Sequence, residues 1–372
     1  MASSQQSTDV FIVGGGPAGL AAAIAARQKD LTVMLADGAA PPIEKTCGEG
    51  MLPETLTALR SLGVIVNPNE GRKFRGMCFA QEGARVFADF PHGTGLGLRR
   101  PLLHAQLVAR AEECGVQLLW KTPVRGIDAE GVQLSHYKVR ARFIIGADGQ
   151  GSRVRRWSGL DATTRINKRH AIRQHFRVQP WSEYMEIYWG AHSQAYVTAI
   201  ARDEVCIVVM SEDAEHTCFE SALRELPDLA AKLHCAELAS RGRGAINVMS
   251  SLQDVQRGNV ALVGDASGGV DAITAEGLRL AFRQAFALGE ALTANDLRLY
   301  QRAHAELARR PMLMGRLMLW LGRHPGIRSR FMRTLQSNPN LFARLLATHA
   351  GSLSPAEILS VSAQLGWRLL AI

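Results

Sequence analysis

The sequence has no C-x-x-C pair or other zinc-ligand spacing, no P-loop, no second G-x-G-x-x-G, no low-complexity tract and no internal repeat. Without zinc spacing, the six cysteines, Cys47, Cys78, Cys114, Cys206, Cys218 and Cys235, read as reduced and mostly buried thiols. No Ser-His-Asp arrangement stands out, so His104, His170 and His175 read as surface residues of a helix and a sheet. Met1 to Thr8 is a polar tail with neither a basic start nor an apolar core. It does not read as a signal peptide, and a cytoplasmic location is expected, with peripheral membrane attachment left open. At 372 residues, with 47% hydrophobic and 21% charged residues, the chain has the composition of a globular protein of two or three domains.

Acidic residues are scarce in one place. Between Arg298 and Arg333 nine arginines face a single acid, Glu306, a local balance of +8 against a net charge of +9 for the whole chain. A nucleic-acid partner is not expected, because no aromatic-basic interleaving accompanies these arginines. Met312 to Leu321 is apolar but interrupted by Arg316 and too short to cross a bilayer. Three readings stay open for it: contact with an anionic membrane surface or a carrier, the entrance for an oily substrate, or packing with the arginines solvated.

Glycine, by contrast, is concentrated at informative points. Asp9 to Val13 is a β-branched and apolar run, followed by Gly14-Gly15-Gly16-Pro17-Ala18-Gly19 and an alanine-rich segment to Gln28. Strand, turn and helix thus occur in the order a dinucleotide site requires. Gly14 makes the tight turn, Gly16 lets the backbone approach a pyrophosphate, and Gly19 lets the helix pack on the strand. Pro17 and Ala18 open the helix whose N-terminal amides face the phosphates. Asp37, after the strand Leu31 to Ala36, stands where a carboxylate accepts from the adenosine ribose; a turn or cap aspartate is the alternative.

Two further strand-ending glycine turns follow. Phe143 to Ile145 leads into Gly146-Ala147-Asp148-Gly149, which placed alone would be an ordinary turn. Val260 to Val263 leads into Gly264-Asp265-Ala266 and then, through Thr274-Ala275-Glu276-Gly277, into a helix from Leu278. An aspartate after a buried strand can hold a ribityl hydroxyl, and a helix start can stabilise a reduced isoalloxazine. Three such turns in order predict one bound FAD.

The expected fold class is α/β: a Rossmann-like FAD-binding domain with an inserted antiparallel-sheet substrate domain and a helical C-terminal region. The pattern assigns 9–70, 96–165 and 251–295 to FAD binding, 71–95 and 166–250 to the substrate sheet, and 296–372 to the helical region. Helices are expected at Pro53 to Leu62, Pro101 to Cys114, Ala214 to Arg224 and Leu226 to Leu233. Strands are expected at Phe74 to Ala80, Arg85 to Phe90, Val116 to Trp120, His170 to Val178, Tyr184 to Trp189, Ala195 to Ala201 and Val205 to Met210. Tyr184, Tyr188, Trp189 and Tyr196 either line the chamber or pack the core.

These motifs, with Lys45-Thr46-Cys47-Gly48-Glu49-Gly50 and Arg100 followed by Leu103 and Leu107, make the chain resemble flavoproteins of the para-hydroxybenzoate hydroxylase fold, most of all the geranylgeranyl-reductase-related branch. The resemblance implies that Arg100 contacts the dinucleotide, that Asp148 and Gly149 serve its second turn, and that Asp265 holds the ribityl chain. It also implies that Cys47 and Gly48 run beside the isoalloxazine, with Gly277 and Leu278 at the helix start. Cys47, Glu49 and Glu276 are the candidate reactive groups near the ring, with a structural role for Cys47 equally open. Thr274-Ala275-Glu276-Gly277 departs from the T-G-E-G of the reductase branch at Ala275, and the W-x-W-x-I-P pattern of flavin halogenases is missing. The first functional reading is a monooxygenase hydroxylating a lipophilic aromatic or polyketide-like molecule with NAD(P)H and oxygen. The second is a reductase of carbon-carbon double bonds in a prenyl or lipid chain. The third is a non-catalytic flavin module docking on a membrane or carrier. Electrons would come from NAD(P)H or another external donor.

Overall fold

The computed structural model describes residues 6–128 and 130–371; the first five residues of the polar tail lie outside them. Buried, unbroken apolar runs place the parallel strands at the centre of the first sheet. Its order is Gln256–Arg257, Val260–Leu262, Lys138–Gly146, Ser7–Val13, Val33–Ala36 and Gln117–Leu119. All pairings along that path are parallel except the one at Gln256–Arg257. Side chains alternate across it: Val10, Ile12, Phe143 and Ile145 join one apolar layer, and Phe11, Val13 and Ile144 the other. The helix Pro17–Arg27 packs on the first layer beside Gly277–Thr293. Val116 to Trp120, expected as a strand, shortens to Gln117–Leu119 and is partly exposed because it forms the sheet edge.

The second sheet runs Gly268–Gly269, Arg243–Leu252, Thr163–Arg177, Glu204–Ser211, Ser193–Ala199, Tyr184–Trp189, Gly76–Gln81 and Ala84–Asp89. It is antiparallel except where Tyr184–Trp189 meets Gly76–Gln81 in parallel. The strand Arg243–Leu252 has no counterpart among the sequence expectations, although it pairs along most of Thr163–Arg177. A small third sheet joins Gly50–Met51, Gly95–Gly97 and Arg72–Phe74, and so carries the end of the Cys47 loop.

The C-terminal helices are Leu297–Arg323, Pro325–Ser337, Pro339–Ala350 and Pro355–Ala371. Proline at the first helical position of three of them sets where each begins. Met318, Leu321, Phe331, Phe342 and Leu346 pack on Met77, Phe79 and Ile187 of the second sheet. The opposite face of that sheet is covered by Phe219–Glu225 and Pro227–Leu233. The expected helix from Ala214 instead begins as a 3-10 turn, Glu215–Thr217. No described helix is long and apolar enough to cross a membrane.

Of the nine arginines between Arg298 and Arg333, only Arg328 is buried; it donates to Gln81 Oε1 and to the carbonyls of Gly190 and Gly322. The six cysteines are free as expected, but only Cys78 and Cys206 are buried, which corrects the reading of mostly buried thiols.

Candidate FAD site and its apolar chamber

Parallel register brings the three glycine turns together. Val13 lies opposite Gly146 and Ala36, and Gly146 lies opposite Leu262. Gly14, Asp37, Ala147 and Val263 therefore leave one edge of the sheet side by side. The row is closed by amides: Gly14 N donates to Ala36 O at 2.9 Å, Ala147 N to Val13 O at 2.8 Å and Val263 N to Gly146 O at 2.9 Å.

Gly14 has φ +113°, and a Cβ there would stand 2.5 Å from Ala147 O; one on Gly19 would stand 1.9 Å from Gly14 O. Only glycine permits so tight a strand–turn–helix junction. At Gly16, Gly149 and Gly277, a Cβ would meet nothing within 4 Å, so these three turns turn bare backbone toward open space. Gly16 precedes Pro17–Arg27, whose first amides have no intrahelical partners, and Gly277 opens Gly277–Thr293. That donor set, three open backbones beside two helix starts, fits a flavin dinucleotide.

Asp37 accepts from Gly15 N at 2.7 Å and Ala39 N at 2.7 Å, and His104 Nε2 lies 2.8 Å from Gly15 O. Both side chains hold the first turn at Gly15, one at its amide and the other at its carbonyl. His104 is fully buried, correcting its reading as a surface residue, and burial pushes its imidazole below the usual histidine range. The Asp148 carboxylate caps the short helix Arg153–Trp157, accepting from Arg153 N at 2.7 Å and Ser152 Oγ at 2.5 Å. Asp265 pairs with Lys45 at 2.5 Å, and both remain partly exposed.

The Cys47–Gly50 loop rests on buried charges. Glu49, 3% exposed with φ +58°, accepts from Arg100 N at 3.0 Å and Arg173 Nη1 at 3.2 Å, and meets His175 Nε2 at 2.8 Å. The Glu49 carboxylate only accepts, so His175 Nε2 donates to it, while Nδ1 lies 2.7 Å from Ser240 Oγ and 2.9 Å from Arg99 Nη1. Burial opposes the charge on Arg173, but Glu44 at 2.5 Å and Glu49 outweigh it and raise its pKa. His175, expected on the sheet surface, is completely buried in this network; His170 is half-buried. Cys47 Sγ accepts from Glu49 N at 3.4 Å and lies 3.9 Å from Arg100 Nη1.

Beyond the third turn lies a narrow apolar cavity of about 60 Å³, partly open to solvent. The second sheet contributes Met77, Phe79 and Ile187 to its wall; Ile273 and Thr274 come from the third loop, and Met314, Leu317, Met318 and Leu321 from the Arg-rich helix. That helix thus packs and lines the chamber with one face while most of its arginines are solvated. None of Tyr184, Tyr188, Trp189 and Tyr196 lines this cavity. Trp189 and Tyr196 belong to the core on the cavity side of the sheet, Tyr188 to the opposite layer.

At the cavity's end Glu276, 2% exposed, pairs with Arg279 at 2.7 Å and His349 at 3.2 Å. His349 was not singled out by the sequence; it lies far along the chain from the glycine motifs. Nearby, His304 Nε2 meets Ser267 Oγ at 2.9 Å and ties the third turn to the long helix. Burial pushes the His304 pKa from 6.5 down to about 4. Because the folded pKa is depressed, protons favour the unfolded chain, and stability is lost as pH falls from 6.5 toward 4. The partial exposure of His304 makes about 3 kcal/mol a ceiling on that loss. Urea unfolding between pH 7 and pH 4 should show this acid slope in the wild type and a shallower one in His304→Gln; equal slopes would contradict it.

A model of the FAD binding domain family matches residues 7–304. Digeranylgeranylglycerophospholipid reductase 1 of Methanothermobacter thermautotrophicus is 27% identical over 73% of this chain and 73% of its own length. The menaquinone reductase of Mycobacterium tuberculosis is 25% identical over 79% of both chains. The solved structure of a geranylgeranyl bacteriochlorophyll reductase-like protein from Thermoplasma acidophilum superposes with a TM-score of 0.77 at 18% identity, covering 99% of this chain and 98% of that one, a likeness of fold. With the family match spanning most of the chain and the glycine turns gathered at one sheet edge, the protein belongs to the FAD-binding domain family and is an FAD-dependent oxidoreductase.

Proposed function

We propose that the protein is a reductase that saturates a carbon-carbon double bond in a prenyl or other lipid chain. The observation that carries this reading is the apolar cavity walled by the third glycine loop, Ile273 and Thr274, on one side and by sheet and helix side chains on the others. Such a wall offers a hydrocarbon group burial at about 25 cal/mol per Å² and few hydrogen-bonding groups to orient a polar ring. Both relatives named above are reductases by name, one of a prenyl-lipid and one of a quinone. In this reading the first amides of Pro17–Arg27, with Gly14, Gly16, Pro17, Ala18 and Gly19, hold the pyrophosphate, and Asp37 the ribose. Arg100, Asp148 and Gly149 serve the rest of the dinucleotide and Asp265 the ribityl chain, released from Lys45. Cys47 and Gly48 flank the ring, and the amides of Gly277 and Leu278 face it. Bound FAD would take two electrons from NAD(P)H or another external donor and pass a hydride to the substrate. The protein's share is to bury the chain, exclude water and fix the reacting carbons.

The test is product analysis with FAD-loaded protein, chemically reduced under anaerobic conditions and mixed with a geranylgeranyl lipid. Gain of two hydrogens without oxygen is expected. Product that carries one oxygen atom and forms only in air would replace this reading with the monooxygenase that hydroxylates a lipophilic aromatic or polyketide-like molecule.

A further inference from the structure

We propose that His349, held by Glu276, is the acid that protonates the substrate in the apolar cavity; this rests on the reductase reading above. Saturating an alkene needs a proton as well as a hydride, and the wall of the cavity supplies few groups that carry one. Apart from Thr274, His349 is the only polar side chain lining it among the described residues.

The histidine sits in a built position. Its Nε2 is 3.1 Å from Thr274 O and 3.2 Å from Glu276 Oε1. Both oxygens accept, so Nε2 carries a hydrogen and donates it, and Nδ1 is the nitrogen left to exchange a proton with whatever occupies the cavity. Glu276 is itself anchored by Arg279 Nη1 at 2.7 Å, and Arg279 also donates to the carbonyls of His349 and Ala350. One ion pair thus locks the end of helix Pro339–Ala350 onto the loop that leads into Gly277–Thr293. His349 also occupies the last turn of its helix, where the dipole favours a cation. The carboxylate on Nε2 fixes the orientation of the ring, as a proton donor requires. The side chain is only 10% exposed, so the proton is delivered where bulk water has little access.

The step balances. The alkene π bond breaks and two C–H bonds form, one from the hydride of the reduced flavin and one from the proton on His349 Nδ1. The flavin would be left oxidised and the imidazole neutral; solvent returns the imidazole proton, and the external donor returns a hydride, or two electrons with a second solvent proton.

The experiment is an anaerobic single turnover of the FAD-loaded, chemically pre-reduced protein with a geranylgeranyl lipid, comparing wild type, His349→Gln and His349→Ala. Flavin content and the thermal shift caused by the fully saturated lipid are read in parallel. The expected result is a loss of about 10²-fold or more in rate in both variants, with flavin content and the lipid-induced shift retained, and partial recovery of His349→Ala by added imidazole. Rates within tenfold of wild type would overturn the assignment. Loss of the lipid-induced shift together with the rate would also overturn it, by reducing His349 to a packing residue, as would a rate that imidazole fails to raise. A wild type that forms no saturated product while still shifting with lipid sinks the reductase reading itself, a separate outcome.

Discussion

Glu49→Ala is expected to lower the unfolding free energy by about 3–5 kcal/mol, the cost of breaking a buried ion pair by removing one partner. Glu49 and Arg173 have side chains 0% and 2% exposed, so neither charge has water to fall back on. Without the carboxylate, Arg173 keeps only Glu44, whose side chain is 38% exposed, while His175 Nε2 and the Arg100 amide each lose an acceptor. An unmet buried donor adds about 1–3 kcal/mol to such a loss. The backbone supplies an internal control. Glu49 has φ +58°, a conformation that costs a side-chain-bearing residue about 1–2 kcal/mol. Glu49→Gly removes the same carboxylate but relieves that strain, and should be about 1 kcal/mol more stable than Glu49→Ala. Equilibrium urea unfolding of the three proteins measures both differences; a loss below about 1 kcal/mol for Glu49→Ala would mean that the network is hydrated.

Gly14→Val should be comparably severe for a different reason. The position combines φ +113° with a Cβ that would stand 2.5 Å from Ala147 O, 2.7 Å from Ala147 C and 2.9 Å from Asp148 N. Those atoms are backbone of the second glycine turn and cannot rotate away. Backbone strain and overpacking together place the cost at about 3–5 kcal/mol. Because the first and second turns are pushed apart, flavin content should fall with it. Thermal unfolding and the absorbance of the purified variant report the two effects, and a stable, fully yellow Gly14→Val protein would contradict the geometry.

The parts of the fold legible in the sequence were those whose signal is local. Val10 to Val13 and Phe143 to Ile145 are unbroken apolar runs because their strands are covered on both faces, and each ends in glycine where the sheet edge demands a turn. Arg243–Leu252 carries no such signal: most of it is at least partly exposed, and it holds Gly244, Ser250 and Ser251. Its pairing with Thr163–Arg177 comes from distant chain rather than from its own pattern. The histidines failed for the same reason. His104 is buried by a bond to Gly15, 89 residues away, and His175 by one to Glu49, 126 residues away. His349 meets Thr274 across 75 residues, and helical periodicity around it reports only an amphipathic helix. Asp148 shows the converse limit: an Asp-Gly turn was visible in the sequence, but that its carboxylate caps the next helix depends on how the chain folds back.

Gly16 offers the most direct test that the gathered turns hold one flavin dinucleotide. Its φ of −71° suits any residue, and a Cβ there meets nothing within 4 Å, so Gly16→Val should fold with stability within about 1 kcal/mol of wild type. The added side chain would project into the space between the turns. Titrating FAD into flavin-stripped wild type and Gly16→Val, with flavin fluorescence as the readout, should show the variant binding at least about a hundred-fold more weakly, roughly 2.7 kcal/mol. Equal affinities in two equally folded proteins would contradict the placement of the dinucleotide at this edge of the sheet.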